Sequence, residues 1–165
     1  MKFTEFSHTF DYSLEKVLEG REARYENREW WPEIIGSEII SEEEFEGVIK
    51  KVRSIKLENK LPTNKLFKDS HYTATEVSKY DTNNAEYSIE STLNSHEKLL
   101  LFLEKSIYTR LNNDQDKCIR TITLQVNVKV PLIGIVAEQA ISSEFKKLSD
   151  KDRDTINQYL ASKYR

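Results

Sequence analysis

The stretch Cys118-Ile119-Arg120-Thr121-Ile122-Thr123-Leu124-Gln125-Val126-Asn127-Val128-Lys129-Val130 decides the fold. Ile122, Leu124, Val126, Val128 and Val130 take every second place, and Thr121, Thr123, Gln125, Asn127 and Lys129 fill the others. Successive strand side chains point to opposite sides of a sheet, so this is a strand with one buried face. At ~3.3 Å per residue it reaches about 43 Å. Beyond Pro131, the residues Ile133, Ala137, Ile141, Phe145, Leu148, Ile156 and Tyr159 recur at helical spacing, with Val136, Ala140 and Leu160 widening the stripe. A helix continuous to Lys163 would span about 50 Å at ~1.5 Å per residue, long enough to cross a whole sheet. Asp152 interrupts the stripe, and Ser149 stands three residues before it at capping-box spacing, so a kink or restart is expected at Ser149.

Working outward, residues 99–111 fit two periods. Leu99, Leu103, Ile107 and Leu111 lie at helical spacing, while Leu99, Leu101, Leu103 and Ile107 share strand parity. The segment Asn112-Asn113-Asp114-Gln115-Asp116 reads as a hairpin turn into the alternating strand, which favours a strand here. It has neither the glycine nor the glutamate of a calcium loop. Upstream, residues 85–93 alternate, with Tyr87, Ile89 and Leu93 on one face, and residues 72–80 form their partner across the turn Asp81-Thr82-Asn83-Asn84. Residues 61–69 read as a short helix or loop. Two further strands are expected at 34–40 and 48–57, joined by an acidic turn at 41–47 in which Glu42-Glu43-Glu44 is a solvated bend. Residues 2–12 open the chain as a strand with Phe6, His8, Phe10 and Tyr12 on one face. Ser13 then caps a helix running to about Asn27, which Trp30-Trp31-Pro32 brings to an end.

The order is therefore strand, helix, about six strands and a long amphipathic helix. A sheet with one continuous apolar face needs a cover, and only the terminal helix is long enough. The expected class is α+β, a curved antiparallel sheet of about seven strands wrapped around the C-terminal helix, in a single domain over residues 1–165. That arrangement is a helix grip. The 165 residues suit one domain, and the three prolines and four glycines mark no linker. With 25 basic and 28 acidic residues and no basic stripe, nucleic acid is not expected as a partner. No secretory signal or membrane-spanning stretch is visible, and the single Cys118 is compatible with a reducing compartment, so the cytoplasm is the expected location.

Read this way, the chain resembles the START-like superfamily, and within it the PRELI-like phospholipid-transfer proteins. The resemblance rests on Arg24-Tyr25 closing the first helix, Lys60-Leu61-Pro62-Thr63 followed by Phe67, the strand with Leu100-Leu101-Phe102-Leu103-Glu104 and Tyr108, and the long final helix. A bacterial family of uncharacterised START-like proteins is similar as well, at Val130-Pro131-Leu132-Ile133-Gly134. The PRELI-like resemblance implies a non-enzymatic carrier that holds one phospholipid with its phosphate inward, and makes Arg24 and Lys60 the phosphate contacts. It also implies transient membrane contact, a small helical cysteine-rich partner for which no motif here independently calls, and the mitochondrial intermembrane space as an alternative location. The chain departs from the family in two places. Glu26-Asn27-Arg28-Glu29-Trp30-Trp31-Pro32 replaces a proline-rich turn, and Leu57 stands where a second lysine belongs.

The candidate ligand-binding residues are Arg24, Tyr25, Lys60, Arg120, Trp30, Trp31 and His8, and each has a plainer reading. Arg24 also suits the negative end of the first helix, and Lys60 suits a solvated loop. Arg120 shares parity with Ile122 and Leu124, so it either points inward to an acid or a ligand anion or reaches water at a strand end. Trp30 and Trp31 form either a membrane-touching rim or the end of a core. His8 lies between Phe6 and Phe10 as a core or pocket-lining residue. His71 and His96 have no partners at metal-site spacing, and no cofactor motif is present. Catalysis lacks a nucleophile elbow or phosphate-cradling loop. The rivals to a carrier are an interaction or regulatory module with a filled core, and a small-molecule cyclase or hydrolase. An enclosed volume of at least ~300 Å³ would distinguish a ligand cavity from a filled core.

Overall fold

The computed structural model describes residues 1–60, 70–94 and 96–164. Among these residues seven strands run β1 (Lys2–Phe10), β2 (Ile34–Phe45), β3 (Val48–Glu58), β4 (His71–Asp81), β5 (Glu86–Leu93), β6 (Leu100–Leu111) and β7 (Asp114–Val128), with α1 (Leu14–Ala23) after β1 and α2 (Gly134–Lys163) after β7. They form one antiparallel sheet in the order β1-β7-β6-β5-β4-β3-β2. The curved sheet with its long terminal helix is the α+β helix grip that the alternation of β7 implied. The segment expected as a short helix or loop at 61–69, including Pro62 and Phe67, lies outside the described residues.

Several local expectations are corrected. Ser13 does cap α1, accepting from the backbone N–H of Lys16 at 3.2 Å. The helix nevertheless stops at Ala23 rather than near Asn27: the backbone N–H groups of Arg24, Tyr25 and Glu26 tighten onto carbonyls three residues back, at 3.3, 3.3 and 3.2 Å, and the Asn27 side-chain amide also donates to the Ala23 carbonyl at 2.7 Å. The acidic stretch is strand rather than bend: Glu42 and Glu43 lie opposite Lys51 and Lys50. The turn shrinks to Glu46-Gly47, both at positive φ, as a two-residue hairpin demands. Asn112 and Asn113 make the equivalent turn, so β7 begins at Asp114.

Strand β6 faces opposite to the parity of Leu101, Leu103 and Ile107. Its buried residues are Leu100, Glu104, Ser106 and Tyr108. Helix α2 is unbroken through Ser149. Its first turn is more exposed than the stripe implied: Ile133, Ile135 and Val136 face solvent beside a fully exposed Leu132.

Two apolar clusters fill the concave side of the sheet. One joins Phe10, Leu14, Val17, Trp31, Tyr108 and Cys118 to Ile156 and Leu160 of α2. The other joins Leu100, Leu124, Val126 and Val128 to Ala137 and Ile141. The stretch of α2 from Phe145 to Asp152 bridges the space between them. Close backbone approach fixes both ends of this roof. A Cβ on Gly20 would sit 3.1 Å from Ile156, and one on Gly134 would sit 2.6 Å from the Val128 carbonyl oxygen.

Gly134→Ala must therefore push the start of α2 away from β7, and is expected to cost about 1–3 kcal/mol. Gly36→Ala, which meets nothing within 4 Å, should change stability by less than about 0.5 kcal/mol. Urea unfolding of the two variants checks the contrast.

Candidate functional site

The register of the sheet lines up side chains in rows across its concave face. Arg53 faces Glu76, Glu76 faces Ser91, Ser91 faces Glu104, and Glu104 faces Leu124. Two residues further along, Ile55, Ala74 and Leu93 lie opposite one another in turn, with Phe102 in the same tier of β6. A polar row thus stands beside an apolar one.

A buried carboxylate is costly unless a cation and hydrogen bonds satisfy it. Both glutamates are satisfied. Arg21, from the inward side of α1, places Nη2 3.1 Å from Glu76 Oε2, and its remaining N–H groups reach the hydroxyls of Tyr87 and Tyr108 at 3.4 and 3.5 Å. Tyr25 donates to Glu76 Oε1 at 2.6 Å, and Ser91 donates to Oε2 at 3.3 Å. Burial, and after it the charge of Glu76, push the Tyr25 pKa well above the usual phenol range. Arg120 donates from Nη2 to Glu104 and from Nε to Ser106, both at 2.9 Å, while Ser106 bonds Glu104 in turn.

A third pair ties the roof down. Asp152 of α2 accepts from Trp31 Nε1 at 3.1 Å and lies 2.9 Å from Arg24 Nε. Burial alone would lower the Arg24 pKa, and Asp152, Tyr25 and Glu76 together more than reverse this. Asp152 interrupts the apolar stripe because it points inward to these partners, and no restart of the helix is needed.

Between sheet and roof is a cavity of about 180 Å³, below the ~300 Å³ expected above to mark a ligand cavity rather than a filled core, so its volume does not meet that criterion. Ile55, Leu57, Ala74, Leu93 and Phe102 form its sheet wall, and Phe145 and Leu148 its roof. Its polar end holds Arg21, Arg24, Glu76, Glu104, Arg120 and Asp152. Pro32, Glu58, Lys60 and Lys151, all solvent-facing, mark its mouth. Tyr72 lines the wall, and burial pushes its pKa up to about 12.

The structure brings four of the seven sequence-predicted residues to this cavity: Arg24, Arg120, Trp30 and Lys60. Arg120 is 5% exposed; it points inward, and its acid is Glu104. Lys60 stands at the mouth 3.9 Å from Glu58. Tyr25 lies behind the cavity wall, against Glu76 and under the Arg53 guanidinium, 3.6 Å from its ring centroid. Trp31 is 1% exposed and packs on Tyr159, so it closes a core rather than forming a rim.

His8 is buried beside Phe6, with Nε2 2.8 Å from Asp150, and does not line the cavity. Sequence reasoning passed over Arg21, Glu76, Glu104 and Asp152. The available signal was parity: Glu76 alternates with Ala74, and Glu104 with Phe102 and Tyr108.

Comparison with known proteins places these features in context. The model of the PRELI-like family matches residues 15–164. A search of curated proteins finds no match. Among solved structures, the Zhui aromatase/cyclase of Streptomyces sp. R1128 superposes with a TM-score of 0.67 at 13% identity, covering 99% of this chain and 96% of that one. A Thermus thermophilus protein gives 0.65 at 10% identity, covering 99% and 100%. A START superfamily protein of Mycobacterium smegmatis gives 0.60 at 14% identity, covering 95% and 98%. At such identities the likeness is one of fold.

Two outcomes follow from the ion pairs. Arg21→Met should cost about 3–5 kcal/mol by stranding Glu76, whereas Arg21→Met with Glu76→Leu should cost less than the single change; urea denaturation of both variants checks this. Desolvation first, with Arg120 and Arg153 assisting, holds His8 below its ordinary 6.5 despite Asp150. Unfolding then takes up a proton, so His8 favours the folded state fully above pH 6.5 and progressively less below it. Asp150, held below 3.8, adds its own loss only at lower pH. Melting curves of His8→Asn should show a flatter pH dependence between about pH 5 and 7 than the unaltered chain.

Proposed function

The chain belongs to the PRELI-like family, and from that premise we propose that residues 1–165 form one domain whose cavity takes up a phospholipid or other hydrophobic molecule and releases it unchanged. The observation that carries this reading is the step in polarity across the concave face. The row of Ile55, Ala74 and Leu93 adjoins the row of Glu76, Ser91 and Glu104. A guest entering between Lys60 and Lys151 meets hydrocarbon along its body and hydrogen-bonding groups at its inner end. Arg24 and Arg120 are the residues assigned to that end, and Trp30 to the flank. About 180 Å³ admits one end of a lipid, with the remainder reaching through the mouth. Transient contact with a bilayer uses the exposed apolar tip of Leu132, Ile133, Ile135 and Val136. We assign the cytoplasm as compartment, with the intermembrane space as the alternative that family membership carries.

A cyclase or hydrolase is the second reading. The fold likeness to an aromatase/cyclase and the Tyr25 to Glu76 hydrogen bond favour it. Against it, Tyr25 is held protonated by burial and by Glu76, so it cannot serve as a base. Both Glu76 oxygens are occupied by Tyr25, Arg21 and Ser91.

Ala74 is the small residue of the apolar row, so Ala74→Trp should fill the cavity from the sheet side. After incubation with mixed phospholipid liposomes, native mass spectrometry is expected to find one lipid per chain. Uptake should fall at least tenfold in Ala74→Trp while the circular dichroism spectrum stays unchanged. An apo mass throughout would favour the filled-core reading, and equal uptake by both proteins would place the ligand elsewhere.

A further inference from the structure

The open edge of the sheet at β2 carries a pattern that neither the core nor the cavity explains. Strand β2 is last in the order and has a strand neighbour, β3, on one side only. From Gly36 to Phe45 every residue is exposed, including Ile39, Ile40 and Phe45, the last at 75%. Among the described residues, no hydrogen bond from outside the sheet reaches the backbone of this stretch. An open row of backbone N–H and C=O groups on a long strand is a template for another strand.

The charges decide which strand fits. Glu38, Glu42, Glu43 and Glu44 are the charged residues of β2, and all are acids. Glu42 and Glu44 lie opposite Lys51 and Ile49 on the concave face, while Glu43 lies opposite Lys50 on the convex one. Lys51 stands 3.9 Å from Glu42 and is shared with Glu22 at 3.8 Å. Glu38, Glu43 and Glu44 join no ion pair among the described residues. Two such edges brought together would line one seam with carboxylates from both copies and no cation, and like charges facing one another across strands destabilise. A second copy is thereby disfavoured. A strand bearing lysine or arginine would instead meet acids on both faces of the sheet and cover Phe45, so the single sign of charge selects for the opposite one. Beyond the register shift between Ile39 and Ser41, residues Ser41 to Phe45 pair without interruption with Val52 to Val48, which leaves a regular seat.

We propose that β2 accepts a basic, extended segment of a partner protein, which joins the sheet as a further strand beside Ser41 to Phe45. Pro32 and Glu33 of the cavity mouth precede the opposite end of β2, so a partner seated there leaves the entrance open. The proposal does not depend on what the cavity holds.

A blocked, fluorescently labelled peptide of valine, threonine, three lysines, threonine, valine and threonine tests it on the whole chain by anisotropy at low salt. The peptide is expected to bind, and its counterpart with glutamate for lysine to bind at least tenfold more weakly. Two further lysine peptides carry N-methyl groups on alternate residues, in one set or the other. A paired strand turns one set of its N–H groups to its neighbour and the other to solvent, so one methylated peptide should bind at least tenfold more weakly than the other. The triple variant Glu42→Gln, Glu43→Gln, Glu44→Gln should lose at least tenfold in affinity for the lysine peptide while its circular dichroism spectrum stays unchanged. Absence of binding, equal weakening by the two methylated sets, or undiminished binding to the triple variant overturns the proposal. Dimers of the unaltered chain in sedimentation that the peptide disperses would give the edge to a second copy and overturn it as well.

Discussion

Two glutamates sit in the same cross-strand row of the concave face, with Ser91 between them, and α1 and β7 are placed to keep both compensated. Antiparallel register puts Glu76 and Glu104 on the inner side whether or not that suits a hydrophobic core. A buried carboxylate that loses its cation destabilises strongly, so Arg21 must come in from α1 and Arg120 from β7. These demands fix the depth of α1 on the sheet, and Arg24 with Asp152 then fixes α2 against the turn after α1. The cavity is what remains where polar groups, rather than interlocking hydrocarbon, occupy the middle of the sheet. The two apolar clusters meet on either side of it and do not merge.

The parts of the fold legible in the sequence are those where polarity and geometry agree. Strand β7 alternates strictly because one face is in the core and the other in water, and its period and length together called for a long covering helix. Strand β6 misled because its inner face carries Glu104 and Ser106 while Leu101, Leu103 and Ile107 lie on the outer one; assigning faces by hydrophobicity inverts such a strand. Asp152 misled in the same way. An acid in an apolar stripe suggests a broken helix, and its true reason, Trp31 and Arg24, is more than a hundred residues distant in the chain. Arg120 was flagged because it shared parity with obvious core residues. Arg21 was not, because beside Gly20 and Glu22 it looks like any solvated helix position.

The helix grip is compatible with carriers and with enzymes, and a fold alone does not choose between them. The choice turns on what the inner face offers a guest. Here the ionisable groups are committed to one another, which suits holding and orienting a molecule better than moving protons on it. The exposed apolar residues at the start of α2 belong to the same account: they leave hydrocarbon facing solvent at one end of a chain whose surface is otherwise rich in charge.

The pairing of β1 with β7 has a consequence for biogenesis. Lys2 to Phe10 find their strand partners at Val126 to Cys118, so this segment, once made, waits for more than a hundred further residues before it gains a neighbour. Until α2 follows, the inner face with its half-compensated acids stays open, and partial sheets lacking their roof are sticky. A nascent chain of this design is expected to need shelter until α2 has been made, and a stop before Gly134 would release a product with no helix to close it.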